Sequence, residues 1–301
     1  MRHLIGRLLS IATLLLLIFA GTRALIRALP GDPAETLLSE SGTTLPLPVL
    51  RAELGLDRPF LPSLAHDLRQ FSHGDWGFSL FSQKPVAPII LERFGRTLEL
   101  TALALGLGLS ASLLLGLGAA AHPGGKADRL CELFGAITAA LPTPWIGPLL
   151  LVLFSVELPI FPASQHPALP ALTLALGFAG LWSRLIRERV GETLLTGAAP
   201  GARARGIPEI KVVLKYGLAP CCGALLAYLG TQAGSLLAGA FITEVLFGWH
   251  GMGALLLDSV LKRDYPVIEA AVFVGAAASF LGTAAGDALA RAVDPRSRHA
   301  R

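Results

Sequence analysis

Residues 191–220, GETLLTGAAPGARARGIPEIKVVLKYGLAP, separate two runs of sequence long and apolar enough to cross a bilayer. Pro200-Gly201 predicts the end of any helix arriving from the run before it. Ala202, Arg203, Ala204, Arg205 and Gly206 form a short piece with two charges set among small residues. Pro208 then predicts the first turn of a new helix. Its Ile210, Val213, Leu214 and Leu218 would share one side, and Lys211 and Lys215 the other. Small residues and a turn glycine between two helices suit docking into a groove on a partner. The blander alternative is a solvated basic loop.

Composition sets the class of the flanking runs. Of 301 residues, 53% are hydrophobic and only 15% charged, with mean hydropathy +0.61. A soluble domain carries about a quarter of its residues as Asp, Glu, Lys and Arg. A disordered chain needs the opposite balance. The chain is therefore read as an integral membrane protein. A net charge of +4 is too modest to point to nucleic acid. A bilayer core takes about 20 apolar residues per helix, and six runs qualify: 8–26, 97–121, 133–156, 168–183 extending toward 185, 220–243 and 267–289. The first resembles a signal peptide but lacks a small-x-small cleavage pattern, so it reads as an uncleaved helix. Residues 29–96 are polar and proline-rich, with eight acids and six bases between Asp32 and Arg96, and read as extramembrane. Domain limits follow at 1–96, 97–290 for a five-helix core, and 291–301 for a tail.

Small residues recur at helical spacing in three runs: Gly108, Ser112, Gly116 and Ala120; Gly223, Ala227, Gly230, Gly234 and Ala238; Ala271, Gly275 and Ser279, continued by Gly282 and Gly286. Such stripes let helix backbones approach closely where lipid supplies no hydrophobic drive between helices. They predict a packed bundle.

Orientation follows from lysine and arginine. Residues 184–215 carry seven of them against three acids, and Lys126 and Arg129 follow the second run. Arg2 and Arg7 mark one terminus, and Arg291, Arg296, Arg298 and Arg301 the other. Six spans put all four regions on one side, whereas residues 157–167 on the opposite side have none. Both termini are expected in the cytoplasm.

Catalytic and metal motifs are missing. No HExxH or GxSxG occurs, and the seven histidines are scattered. Gly124-Gly125-Lys126 faintly resembles a phosphate loop, but Ala127 stands where Ser or Thr must hold magnesium. Work against a gradient would need energy from another subunit or an ion. Cys131, Cys221 and Cys222 lie in apolar stretches and read as packed thiols. Glu99, Glu244 and Asp287 lie near span ends, so no central acid offers the relay that a proton-coupled carrier usually needs. Tyr228 and Gln232 are the substantial polar groups of the fifth run; they either line a path or bond a neighbour.

At the 191–220 segment the chain resembles the inner-membrane permease subunit of bacterial ABC importers of the dipeptide, oligopeptide and nickel type. The small-residue run ending in Gly206, followed by an amphipathic helix, matches that family's coupling motif. Other matches extend over nearly the whole chain: Pro30-Gly31-Asp32-Pro33, Leu54-Gly55-Leu56-Asp57-Arg58-Pro59, Gly74-Asp75-Trp76-Gly77 with Ser79, Pro85-Val86, and Arg96-Thr97-Leu98-Glu99-Leu100. They continue with residues 239–244 (GAFITE), 247–253 (FGWHGMG) and 263–268 (RDYPVI), and end at Asp294-Pro295-Arg296. Departures include Pro200-Gly201 in place of Arg-Thr and His250 in place of a proline.

The resemblance implies an all-α, six-transmembrane-helix permease bundle of the bacterial inner membrane with a cytoplasmic coupling helix. It implies as partners a second, related permease, two ATPase subunits that hold ATP and magnesium, and a periplasmic substrate-binding protein. Ala202, Arg203, Ala204, Arg205 and Gly206 would couple to the ATPases. Glu244, Trp249, Gly251 and Asp264 would belong to a periplasmic gate or binding-protein contact. Tyr228, Thr231 and Gln232, with Ser112 and Thr283, are candidate pathway residues. No cofactor or metal is expected in this chain. Peptides are the favoured cargo and nickel or a metal chelate the alternative; a solitary secondary carrier is the rival of a different class.

Overall fold

The computed structural model describes residues 2–28, 34, 35, 38, 46–53 and 59–293. The matches at Pro30–Pro33, at 54–58 and at 294–296 lie outside the described residues. Every regular element among the described residues is helical; an isolated bridge between Phe78 and Pro85 is the one strand-like contact there. The chain is an all-α, polytopic membrane protein.

The elements run as α1 (Arg2–Ala28), α2 (Leu47–Glu53), α3 (Phe60–Ser72), α4 (Val86–Ala121), α5 (Lys126–Ala140), α6 (Thr143–Leu151), α7 (Ala168–Leu195), α8 (Ala199–Ala204), α9 (Glu209–Lys211), α10 (Ala219–Gly239), α11 (Phe241–Leu246), α12 (Met252–Leu261) and α13 (Tyr265–Val293). Four continuous helices pass for membrane spans, at Val86–Ala121, Ala168–Leu195, Glu209–Leu237 and Tyr265–Val293. Counting the bent α5–α6 pair as one span makes five among the described residues, and Leu9–Leu25 of α1 and Met252–Leu261 are shorter apolar helices.

Three boundaries differ from the sequence expectation. First, α4 begins at Val86 rather than near 97, and its 36 residues extend about 54 Å. Pro88 is tolerated there because the first turn of a helix has no use for its N–H. Second, α7 continues past Ser183 to Leu195, and its Arg187 pairs with Asp128 and Glu132 of α5. Third, the run expected as one helix over 133–156 is two, bent by 102°. Leu141 precedes Pro142 and takes an extended ψ of 117°, as steric conflict with a following proline ring requires. Average hydropathy stays high through this bend, which hides it from a span count.

Packing divides the chain into two units, Met1–Arg96 with His250–Ala277, and Thr97–Trp249 with Ala278–Arg301. In the first, Arg23 of α1 bonds Asp67, Ser63 and Glu269. Phe19 lies beside Phe71 and Phe273, and Phe71 stacks on Trp76 at 4.8 Å. In the second, several glycines and a serine of the small-residue stripes lie at close helix contacts, whereas Gly275 of the third stripe, in the first unit, has no atom within 4 Å of where a Cβ would stand. Gly108 lies under the Phe178 ring, Ser112 donates to the Ala179 carbonyl at 3.1 Å, and Gly116 abuts Ser183 and Ile186, all on α7. Gly230 of α10 meets the backbone of Gly286, and Gly234 meets that of Ser279.

Candidate coupling site

The breaker between α7 and α8 is Gly197, whose φ of +66° is costly for a residue with a Cβ. Pro200-Gly201 does not break a helix as expected; Pro200 lies inside the first turn of α8, where proline is compatible. Gly206 closes α8 at φ +73°. Its N–H donates to Arg203 O at 2.9 Å, and the Ile207 N–H donates to Ala202 O at 3.2 Å. This is the paired closure of a Schellman turn, which glycine makes without steric cost.

The five predicted coupling residues divide by direction. Ala202 and Ala199, one turn apart, are fully buried against the chain's own core, which includes Ile186, Val190, Leu194, Val212 and Val213. Ala202 therefore faces inward and presents nothing to a partner groove. Pro200, Gly201, Arg203, Ala204, Arg205 and Gly206 are exposed. Arg205 donates Nε to the Gly201 carbonyl at 3.1 Å. Arg203 is committed within the chain: Nη1 donates to Leu194 O at 3.1 Å, Nη2 to Glu209 Oε1 at 2.6 Å, and Nε to Glu209 Oε2 at 3.1 Å. Hydrogen bonding to the Glu209 carboxylate raises the Arg203 pKa above its ordinary value.

The helix after Pro208 carries the expected apolar side in part: Val213 is buried and Leu218 packs against the core, whereas Ile210 and Leu214 do not. Ile210 is 66% and Leu214 46% exposed, while Val212, Val213 and Gly217 are buried. Residues Val212–Leu218 take the wider π geometry. Its longer turn replaces the 3.6-residue spacing assumed from sequence and moves the buried face onto Val212, Val213 and Gly217. Gly217 fits there because a Cβ would stand 2.9 Å from Val190 Cγ1.

The other predicted residues fall within the fold. Glu244 is fully buried and accepts a 2.6 Å bond from Thr97 Oγ1. Trp249 is buried in the core with Leu100 and Trp182, and its backbone N–H donates to Glu244 O at 2.8 Å. In the other unit, Gly251 caps the start of α12. Asp264, 4% exposed, accepts from Ser79 Oγ at 2.5 Å and from the Leu80 N–H at 3.0 Å. Thr97 and Ser79 were visible in the matched strings, but not as the donors to these acids. Tyr228, Thr231 and Gln232 share one side of α10 by their spacing. Tyr228 is 38% exposed beside Trp182, and Thr231 bonds its own helix at Ala227 O. Ser112 and Thr283 likewise bond within their helices, to Gly108 O and Ser279 O. Among the described residues no three His, Cys, Asp or Glu side chains converge as metal ligands.

Comparison with known proteins gives the context of this geometry. Residues 112–299 match the family described as binding-protein-dependent transport system inner membrane component. The chain is 33% identical to the glutathione transport system permease protein GsiC of Escherichia coli (strain K12), over 99% of both chains. The proteins of that name from Shigella dysenteriae serotype 1 and Salmonella typhimurium (strain LT2) match to the same extent.

Proposed function

Because the chain belongs to the binding-protein-dependent transport system inner membrane components, and is thus an ABC importer permease subunit, we propose that it forms half of a translocation pathway for peptides. The observation that carries the coupling role is α8 itself. It is a short exposed helix between two spans, held from within by Ala199 and Ala202 and closed at Gly206. Pro200, Gly201, Ala204 and Arg205 form the face that meets an ATPase subunit. An arginine suits that face because its charge persists and its donors are directed. A second permease completes the pathway, with Tyr228, Thr231 and Gln232 toward it. Two ATPases bind ATP and magnesium, and a periplasmic protein delivers the cargo. Both termini are cytoplasmic, in keeping with the lysine and arginine bias.

The full-length likeness to proteins named for glutathione transport supports a peptide cargo, glutathione being a modified tripeptide. Nickel or a metal chelate is the second reading, held open because recognition resides in the binding protein. Glu244 and Asp264 are each buried and hydrogen-bonded within their own unit, to Thr97 and to Ser79 and Leu80, and shape that unit rather than touching cargo. The experiment is tagged purification of the chain expressed with its neighbouring genes, followed by uptake of glutathione, a dipeptide mixture and Ni²⁺ into liposomes. Retention of a second permease and ATPases, with ATP-dependent uptake of a peptide, is expected. Isolation alone with ATP-independent transport would refute the importer reading. ATP-dependent uptake of Ni²⁺ without peptide would select the second cargo.

A further inference from the structure

We propose that Arg203 is a positioning residue that clasps α8 to both adjoining spans, and that Arg205 alone of the two arginines meets the ATPase. The inference rests on the coupling reading above and divides labour within it. The guanidinium of Arg203 reaches in two directions at once. One donor caps the Leu194 carbonyl in the last turn of α7, where the next turn supplies no N–H. Two others hold both oxygens of Glu209, the first residue of α9.

The charges suit their places. A cation stabilises the C-terminal end of a helix and an anion the N-terminal end, and this pair puts one at each. The planar fork of arginine allows the arrangement, since it offers donors along several edges. The Schellman bonds hold only backbone to backbone within α8 and its closing turn. The clasp adds a polar side-chain tie to the apolar packing of Ala199 and Ala202 against the helices on both sides. A push received on the exposed face then reaches α7 and the α9–α10 segment together. Arg205 makes no ion pair among the described residues; its one bond is to Gly201 O, one turn back.

A double-mutant cycle separates the roles, because residues acting through one contact do not add. Arg203→Ala, Glu209→Ala, the double variant and Arg205→Ala are made in the full co-expressed complex. ATPase retained per permease is measured at graded detergent wash, and amide hydrogen exchange is followed at Gly206 and Ile207. Arg203→Ala and Glu209→Ala should each lower retention roughly fivefold, the scale of an exposed but well-aligned ion pair. The double variant should fall no further. Exchange at the two amides should quicken by a similar factor in all three. Arg205→Ala should lower retention without quickening exchange.

Wild-type retention with Glu209→Ala beside loss with Arg203→Ala would overturn the proposal, since the Glu209 arm of the clasp would then carry nothing. Additive losses in the double variant would overturn it too, and so would unchanged exchange in the single variants. If the unaltered chain retains no ATPase, the coupling reading fails; exchange in the purified chain still decides whether the clasp exists.

Discussion

Replacing Gly116 by alanine adds one methyl group where α4 crosses α7. The new Cβ would stand 2.7 Å from the Ser183 carbonyl oxygen and 2.8 Å from both Cβ and Cγ2 of Ile186. Comfortable contact between carbons needs about 3.5–4.0 Å, so each Ile186 contact is short by roughly 1 Å. Neither neighbour can yield alone, because one is backbone and the other is β-branched and fully buried. Overpacking of this kind costs about 1–3 kcal/mol, while alanine returns about 0.5–1 kcal/mol of helix stability lost to glycine.

Gly106, ten residues earlier in the same helix, is the control. A Cβ there meets no atom within 4 Å, so Gly106→Ala keeps the helix gain and has no clash. Thermal unfolding of the purified, detergent-solubilised chain should place Gly116→Ala about 2–6 °C below Gly106→Ala, at roughly 2 °C per kcal/mol for a chain of this size. Equal midpoints for the two variants would refute the packing argument, as would a Gly116→Ala variant more stable than the parent.

Gly206→Ala keeps the charges of the coupling segment but puts a Cβ at φ +73°. It should cost about 1–2 kcal/mol locally, read as faster exchange of the Ile207 amide, while membrane insertion stays normal. Asp264→Ala strips a buried acceptor from Ser79 and Leu80 and should lower stability by about 2–3 kcal/mol. Limited proteolysis should then open the 79–82 turn first. Val212→Asn should destabilise more than Ile210→Asn, by at least about 1 kcal/mol, because only Val212 is buried; the reverse order in unfolding measurements would contradict the π register.

Composition and periodicity made the spans legible because bilayer thickness imposes a length and lipid imposes apolarity. The glycine stripes were legible for a related reason: Gly108 and Gly116 tolerate nothing larger beneath α7. Gly206 was visible as a turn, and its closing bonds followed. Of the face expected at Ile210, Val213, Leu214 and Leu218, only Val213 and Leu218 pack on the core, because a π segment obeys a different period and nothing in VVLKYGL announces it. Arg203 was readable as a charge but not as a clasp. Its acceptors are one backbone carbonyl nine residues away and one carboxylate six residues away, and only the folded turn brings them together. Glu244 and Asp264 appeared in recognisable strings, yet their burial depends on Thr97 and Ser79, about 150 and 185 residues distant by chain number.

The bend between α5 and α6 carries a solvation requirement. An unbroken helix would give the carbonyls of Thr138 and Ala140 their fourth-neighbour N–H groups, but those neighbours are Pro142 and Pro144, which have none. Two oxygens therefore keep lone pairs that the helix cannot occupy. Acyl chains have no proton to offer, and leaving such an oxygen in hydrocarbon costs several kcal/mol. At the depth of the acyl chains, those two oxygens would require water or a protein donor in place of lipid tails.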